Sequence, residues 1–340
     1  MPWTAPWLCV PLAAALAKAG HEVEVVADGL ESGVAQAAGV HIRVLSPMST
    51  PLGTSPTRFL AQLAPLVGQR EVISLTGRLA APRWLPLDEP PGSMAARLCR
   101  ERSALSAALE CIHHPHLLAE GLAWRRAARL ASRRGWSSQS LGDPSRGGLG
   151  AVSRIDNGLR TTPRDAARSC LAIDGRRAIL VSAADDSVAR LGPVFRGLAR
   201  LGANAPQLLI LGHRAASISR LAHAEGVAAH VRTLGLTKAP ARVFEAADAA
   251  LGLPRCGHSS GGGGFIADAL ACGLPVAADP DASGSWMLGE SDIVKNGDWS
   301  KAIAGLLSKP DRPRPPRVWL TIDDLATTLL DLHLCSVKRA

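Results

Sequence analysis

The sequence predicts an α/β protein built from two doubly wound, Rossmann-like parallel-sheet domains, the N-terminal one reduced. Three observations lead there. Between residues 178 and 278, short apolar runs alternate with helical stretches without a break, as strands and crossover helices do. Gln207-Leu208-Leu209-Ile210-Leu211-Gly212 is continuously apolar, the mark of a strand covered on both faces. The N-terminal region repeats a helix followed by a strand twice within residues 11–45, which suits a second parallel sheet.

The elements follow in order. Pro11 to Gly20 reads as a helix ended by glycine, and His21 to Ala27 as a strand with a buried end. Leu30 to Ala38 is a short helix, and Val40 to Leu45 alternates like a strand. Thr50 to Pro91 is rich in Pro, Gly and Ser and shows no clear period. Ser93 to Leu109 is helical, Glu110 to His113 forms a short strand, and Leu117 to Arg134 a further helix. Gly135 to Gly150 reads as loop, with Val152 to Arg160 leading into the second domain.

There the pattern sharpens. Strands are expected at 178–182, 207–212, 230–234, 249–253 and 275–278. Helices are expected at 193–201, 217–225, 239–247 and 265–272. The tail holds a helix at 299–307, a proline-rich stretch at 309–317, and a last helix at 322–334.

Composition narrows the functional classes. Of 340 residues, 47% are hydrophobic and 20% charged, which gives a real core and argues against a disordered chain. The formal charge of +9 would suit an anionic partner. Arg125, Arg126, Arg129, Arg133 and Arg134 form the densest basic group, with Arg125, Arg129 and Arg133 on one helix face. No aromatic residues are interleaved to stack bases, so nucleic acid is not expected. A solvated face is the plain reading, and peripheral contact with a membrane the alternative. Seven cysteines without metal-ligand spacing fit free thiols in a reducing cytoplasm. The apolar start lacks a preceding basic segment, and Lys18 interrupts it, so neither a signal peptide nor a membrane span is expected.

The stretch richest in chemistry is Ser259-Ser260-Gly261-Gly262-Gly263-Gly264-Phe265-Ile266-Ala267-Asp268. It lies between a strand and a helix, on the side of a parallel sheet where ligands bind. Gly261, Gly262, Gly263 and Gly264 let the backbone approach an anion, and the helix start offers amide hydrogens and the positive end of a dipole. A diphosphate suits that setting. Asp268, one turn into the helix, is placed to accept hydrogen bonds from a ribose. The bland reading of four glycines is a surface loop.

Residues 208–276 resemble the donor domain of glycosyltransferase family 4, the retaining enzymes of the GT-B fold. The resemblance rests on Leu208 to Gly212, the helix to Gly226-Val227, and His230 to Gly235. It continues through Ala246-Ala247-Asp248, Leu253-Pro254 and Ala269 to Val276. Ile155-Asp156-Asn157-Gly158-Leu159 is similar to the segment closing the first domain. Leu16 to Val26 is similar to the family's first helix and second strand, and Glu110 to His116 to its histidine-bearing strand end.

The resemblance implies a GT-B protein with an N-terminal acceptor domain at 1–154 and a nucleotide-sugar donor domain at 155–320. A C-terminal helix at 321–340 would pack back on the N-terminal domain. It implies transfer of a sugar from a nucleotide-sugar co-substrate, with no other cofactor and no metal, to a glycan, lipid or small-molecule acceptor. His113, Ser260 and Asp268 would be the catalytic positions. Ser182, Arg190, Gly261, Gly262, Gly263, Gly264, Phe265 and Asp268 would bind the donor. The implied location is the cytoplasm, including the inner membrane face.

The departures from the family bear on turnover. The family's two donor-loop glutamates are here Ser260 and Asp268. Its phosphate-binding glycine and arginine are here Ser182 and Ala183, leaving Arg190 to supply charge. Its first strand and glycine loop have no counterpart before residue 8, and the stretch between Gly135 and Val152 is short. A second reading is therefore a catalytically degenerate GT-B protein that binds nucleotide or a partner without turnover. Three other sites are weaker. His113, His114 and His116 lack acidic or cysteine partners for a metal. Asp185 and Asp186 read as a solvated turn, and no Gly-x-Ser-x-Gly elbow surrounds Ser259 or Ser260. A dinucleotide oxidoreductase would carry its glycine turn after the first strand, whereas this one comes late in the chain.

Overall fold

The computed structural model describes residues 5–27, 39–44, 73–74, 83–84, 137–138, 150–153, 164–173, 175, 177–182, 188, 190–212, 215–235, 240–253, 264–282, 284–309 and 319–337. The chain divides into two compact units. One comprises 5–141, 145–149 and 322–340; the other comprises 1–4, 142–144 and 150–321.

In the first unit, helix α1 (Ala5–Lys18) leads through the left-handed Gly20 into β1 (Val23–Ala27). Helix α1 starts earlier than the sequence suggested and carries Pro11 inside it. Strand β1 pairs in parallel with β2 (Val40–Val44), and the Arg43 guanidinium reaches the Glu24 carboxylate at 2.5 Å. A second parallel sheet joins β3 (Ile73–Ser74), β4 (Arg83–Trp84) and β5 (Ser137–Ser138) in that order. None of these short strands was expected: the first two fall in the proline-rich stretch and the third in a region read as loop. Two-residue strands carry no period to detect. The elements anticipated at 93–109, 110–113 and 117–134, with the basic helix face, lie outside the described residues.

The second unit opens with β6 (Ala151–Val152) and α2 (Arg164–Cys170). Then come β7 (Ala178–Ser182), α3 (Leu191–Ala199), β8 (Gln207–Leu211), α4 (Ala215–Ala224) and β9 (Val231–Gly235). They are followed by α5 (Pro240–Ala246), β10 (Ala249–Gly252), α6 (Gly264–Ala271) and β11 (Val276–Ala278). Helix α7 (Trp299–Ser308) and β12 (Trp319–Leu320) complete the unit. The chain then returns to the first unit as α8 (Ile322–Val337), which packs on α1.

Five strands form one parallel sheet in the order β11-β10-β7-β8-β9. Alternate side chains divide its apolar content between two faces. Ile179, Val181, Leu208, Ile210, Ala249 and Leu251 join a core with Val194, Phe195 and Leu198 of α3 and Trp299, Ile303 and Leu306 of α7. Helices α3 and α7 approach closely at Gly197, where a Cβ would stand 2.8 Å from that of Trp299. Asp298 caps α7, accepting the Lys301 amide at 3.2 Å. The β11 edge is covered, since Ala278 bridges to Ile293 in parallel and its carbonyl accepts the Val294 amide at 2.8 Å. Strands β6 and β12 pair separately and in parallel, an arrangement the sequence reading missed.

Candidate functional site

Strand order places the site. From β7 the chain winds outward through β8 and β9, then returns to the other side of β7 to lay down β10 and β11. The direction of winding reverses between β7 and β10. In sheets of this kind the carboxyl ends of the two strands that flank such a reversal are the usual ligand position.

Several expected residues reach this edge. Ser182 ends β7, half-buried, with its backbone in register with Leu211. Arg190 is exposed just ahead of α3. Gly264 opens α6 and is buried. Gly252 ends β10 where space is tight: a Cβ there would lie 2.8 Å from the Ala278 Cβ and 3.0 Å from the Ile266 Cδ1. Phe265 lies with its ring centroid 5.6 Å from that of Phe244, tilted by 47°, so its ring packs α6 against α5. His113, Ser260, Gly261, Gly262 and Gly263 lie outside the described residues, as do His114, His116, Asp185, Asp186 and Ser259.

Asp268 differs from the expectation of a carboxylate open to a ligand. It is 0% exposed, and its Oδ1 accepts the Ser153 hydroxyl at 2.9 Å. The cause is local. Residues 266–271 of α6 are buried throughout, so the stretch of helix that carries Asp268 has no solvent face. The helix packs on β6, and Ser153 follows directly from that strand.

Asp279 was not anticipated. It follows β11 at the same edge, and its amide donates to the Gly252 carbonyl at 2.9 Å. Its Oδ1 accepts the Asp281 amide at 2.9 Å. Burial pushes its carboxyl above the ordinary 3.8; the Asp281 amide pulls it down, the Asp281 charge pushes it up, and the Arg190 charge pulls it down. The coupling to Arg190 brings the ends of β7 and β11 into one electrostatic neighbourhood. An acid directly after a buried strand was the sequence signal for it. Ser153 gave no comparable signal, because Ala151-Val152 is too short a run to show a period.

The opposite edge of the sheet holds a different arrangement. Asp248 is buried before β10, and its Oδ2 accepts the Ala178 amide at 2.7 Å and the Arg168 guanidinium at 3.2 Å. Arg164 pairs with its Oδ1, and Arg177 approaches to 3.9 Å. Among the described residues, no three His, Cys, Asp or Glu side chains are grouped to hold a metal ion, and no helix is long and apolar enough to cross a membrane.

Known structures share this architecture. The chain is similar to WaaG, a glycosyltransferase involved in lipopolysaccharide biosynthesis, with TM-score 0.64 and 16% identity over 91% of this chain and 88% of that one. It is similar to a glycosyltransferase from Rickettsia africae, with TM-score 0.62 and 10% identity over 98% and 95% of the two chains. Anabaena HepE, solved with UDP and glucose, matches with TM-score 0.62 and 13% identity over 100% and 97%. No family model matches the sequence, and no curated protein does. At these identities the likeness shows the fold: the chain has the α/β, GT-B fold expected from its sequence.

Proposed function

We propose that this protein is a glycosyltransferase that takes a sugar from a nucleotide-sugar donor bound at the carboxyl edge of the five-stranded sheet. One observation carries the reading: the winding reversal between β7 and β10 coincides with the glycine run that opens α6. The fold it shares with HepE, which was solved with UDP and glucose, supports the choice of ligand.

In this reading the donor diphosphate meets the backbone of Gly261 to Gly264 and the start of α6, with Ser182 and Arg190 on the β7 side of it. Transfer breaks the bond from the anomeric carbon to the distal phosphate oxygen, which keeps the electron pair, and joins that carbon to an acceptor oxygen, whose proton is released. The protein's part is to stabilise the charge growing on the leaving diphosphate. Arg190 and the α6 dipole supply positive potential for it. His113 would contact donor or acceptor, and Ser260 occupies the position of the family's first glutamate. The acceptor is a glycan, lipid or small molecule on the N-terminal unit. Arg125, Arg129 and Arg133 would draw a cytoplasmic chain to an anionic inner membrane face.

A second reading, nucleotide binding without turnover, is favoured by Ser260 and Ala183 standing where the family has glutamate and arginine. One experiment separates the two. Purified protein is titrated with UDP and GDP by calorimetry, then incubated with UDP- and GDP-sugars while nucleotide release is followed. Binding with release supports transfer, and binding without release supports the second reading. If neither nucleotide binds, both fail.

A further inference from the structure

Asp279 stands at the carboxyl edge of the sheet with a second acid, Asp281, for a neighbour and Arg190 acting on its charge. We propose that the donor site takes up a proton when a nucleotide sugar binds, that the Asp279 carboxyl receives it, and that the site therefore holds its ligand more tightly in acid. The inference rests on the nucleotide-binding reading above and adds a pH response to it.

Strand register fixes the place. Val181, Leu251 and Ala277 lie side by side on β7, β10 and β11, and Gly252 pairs with Ala278 one step on. Asp279 follows at once, and its amide donates to the Gly252 carbonyl at 2.9 Å. The first turn of α6 reaches the same point. A Cβ at Gly252 would lie 2.8 Å from the Ala278 Cβ, 3.0 Å from the Ile266 Cδ1 and 3.4 Å from the Ala282 Cβ. The turn that begins at Asp279 is itself fixed, since the Asp279 carbonyl accepts the Ala282 amide at 2.9 Å and the Ser285 hydroxyl donates to the Pro280 carbonyl at 2.8 Å. The side chain is fixed with it, because its Oδ1 accepts the Asp281 amide at 2.9 Å. Asp279 is half-buried and Asp281 exposed.

Burial does most to disfavour the ionised carboxyl. The Asp281 amide favours that form, the Asp281 carboxylate disfavours it and the Arg190 guanidinium favours it. Gly252, Ile266, Ala278 and Ala282, which meet beside it, carry no charge. Arg190 is thus the one positive charge acting on Asp279 among the described residues. A nucleotide sugar whose diphosphate meets the α6 start adds two negative charges and draws on the field of Arg190. Both changes favour the protonated carboxyl. Two negative charges about 10 Å from a half-buried carboxylate raise its proton affinity by roughly tenfold once salt screening is counted. The carboxyl then binds its proton more firmly with ligand than without. Ligand affinity is therefore highest at low pH, falls as the pH rises through the free and then the bound value of the group, and is level above both.

The test uses UDP-glucose and GDP-mannose, whose phosphates stay ionised throughout, whereas the terminal phosphate of UDP titrates at about 6. Full-length wild type, Asp279→Asn and Asp281→Asn are titrated by calorimetry between about pH 4.5 and about pH 8, after melting curves establish folding. Pairs of buffers that differ in ionisation enthalpy count the protons taken up. Wild type should take up about half a proton per ligand at the maximum and bind about tenfold more tightly at the acid end than at the alkaline end. Asp279→Asn should take up none, and its affinity should vary by less than about twofold across the range. Asp281→Asn should keep the uptake with its maximum at lower pH, because a like charge has gone. Binding without proton uptake in wild type would overturn the proposal. So would uptake that survives in Asp279→Asn or vanishes in Asp281→Asn. Should Asp279→Asn fail to fold, Asp281→Asn still decides, since a maximum that stays in place or moves to higher pH would also overturn it. If wild type binds neither ligand at any pH, the nucleotide reading itself is lost.

Discussion

The two edges of the five-stranded sheet treat a buried or half-buried carboxylate in opposite ways. At the amino edge, Asp248 is surrounded by Arg164, Arg168 and Arg177 and also accepts the Ala178 amide. At the carboxyl edge, Asp268 accepts a neutral serine hydroxyl, and Asp279 has a second acid, Asp281, for a neighbour. Charge compensated by several fixed cations serves the fold, because removing any part of it is costly. A carboxylate crowded by like charge, as Asp279 is by Asp281, favours a cation or a hydrogen-bond donor brought close to it. The difference sets the amino edge apart as a charge-compensated cluster, while the proposed donor site lies at the other edge.

The largest effect should come from the structural end. Asp248→Ala removes the carboxylate facing Arg168, whose side chain is 12% exposed, and the acceptor of the Ala178 amide. A loss of about 3–5 kcal/mol in unfolding free energy is expected. Denaturant titration would measure it. A change below about 1 kcal/mol would place the cluster with ordinary surface pairs and erase the contrast between the edges.

The working end should respond in affinity instead. Arg190→Ala should weaken UDP binding by about tenfold while barely moving the melting temperature, since the side chain is exposed and makes its contribution through charge. Equal affinity in the two proteins would remove Arg190 from the donor site. Gly252→Ala tests the packing beneath that site. Its Cβ would come within 2.8 Å of Ala278 and 3.0 Å of Ile266, so about 1–3 kcal/mol of stability should be lost. An unchanged stability curve would show that β10, β11 and α6 have room to spare.

Legibility in the sequence followed the length of each element. Strands β7 and β8 carry five residues of near-continuous apolar character, and both were read to within a residue of their observed ends. Strands β3 to β6 and β12 have two residues each and were not read at all, because no period fits in two positions. The same limit governs the candidate site. Asp268 was singled out because it sits at a fixed step into a helix opened by glycines. Ser153 was missed because its significance comes from a contact across 115 residues, and Asp279 because its environment depends on the strand order. Burial of Asp268 was equally invisible: it results from how α6 meets β6, and the helix's own residues do not encode that meeting.

The smallest effect is the most informative about charge at the working edge. Asp279 titrates above its ordinary value of 3.8, mainly through burial, so the folded chain holds this proton more firmly than the unfolded one. Stability from that preference is full below the unfolded value and is lost as pH rises through the raised one. At neutral pH the ionised group is therefore a burden on the fold. Asp279→Asn keeps an acceptor for the Asp281 amide and removes the charge. It should melt slightly above wild type at about pH 7, with the difference closing as the pH falls towards about 3. It should also bind UDP more tightly, because the carboxylate no longer competes with a diphosphate for the field of Arg190. Paired melting curves across that range would show the convergence. A variant less stable than wild type at neutral pH would mean that Asp279 supports the fold as Asp248 does, and the two edges would no longer differ in kind.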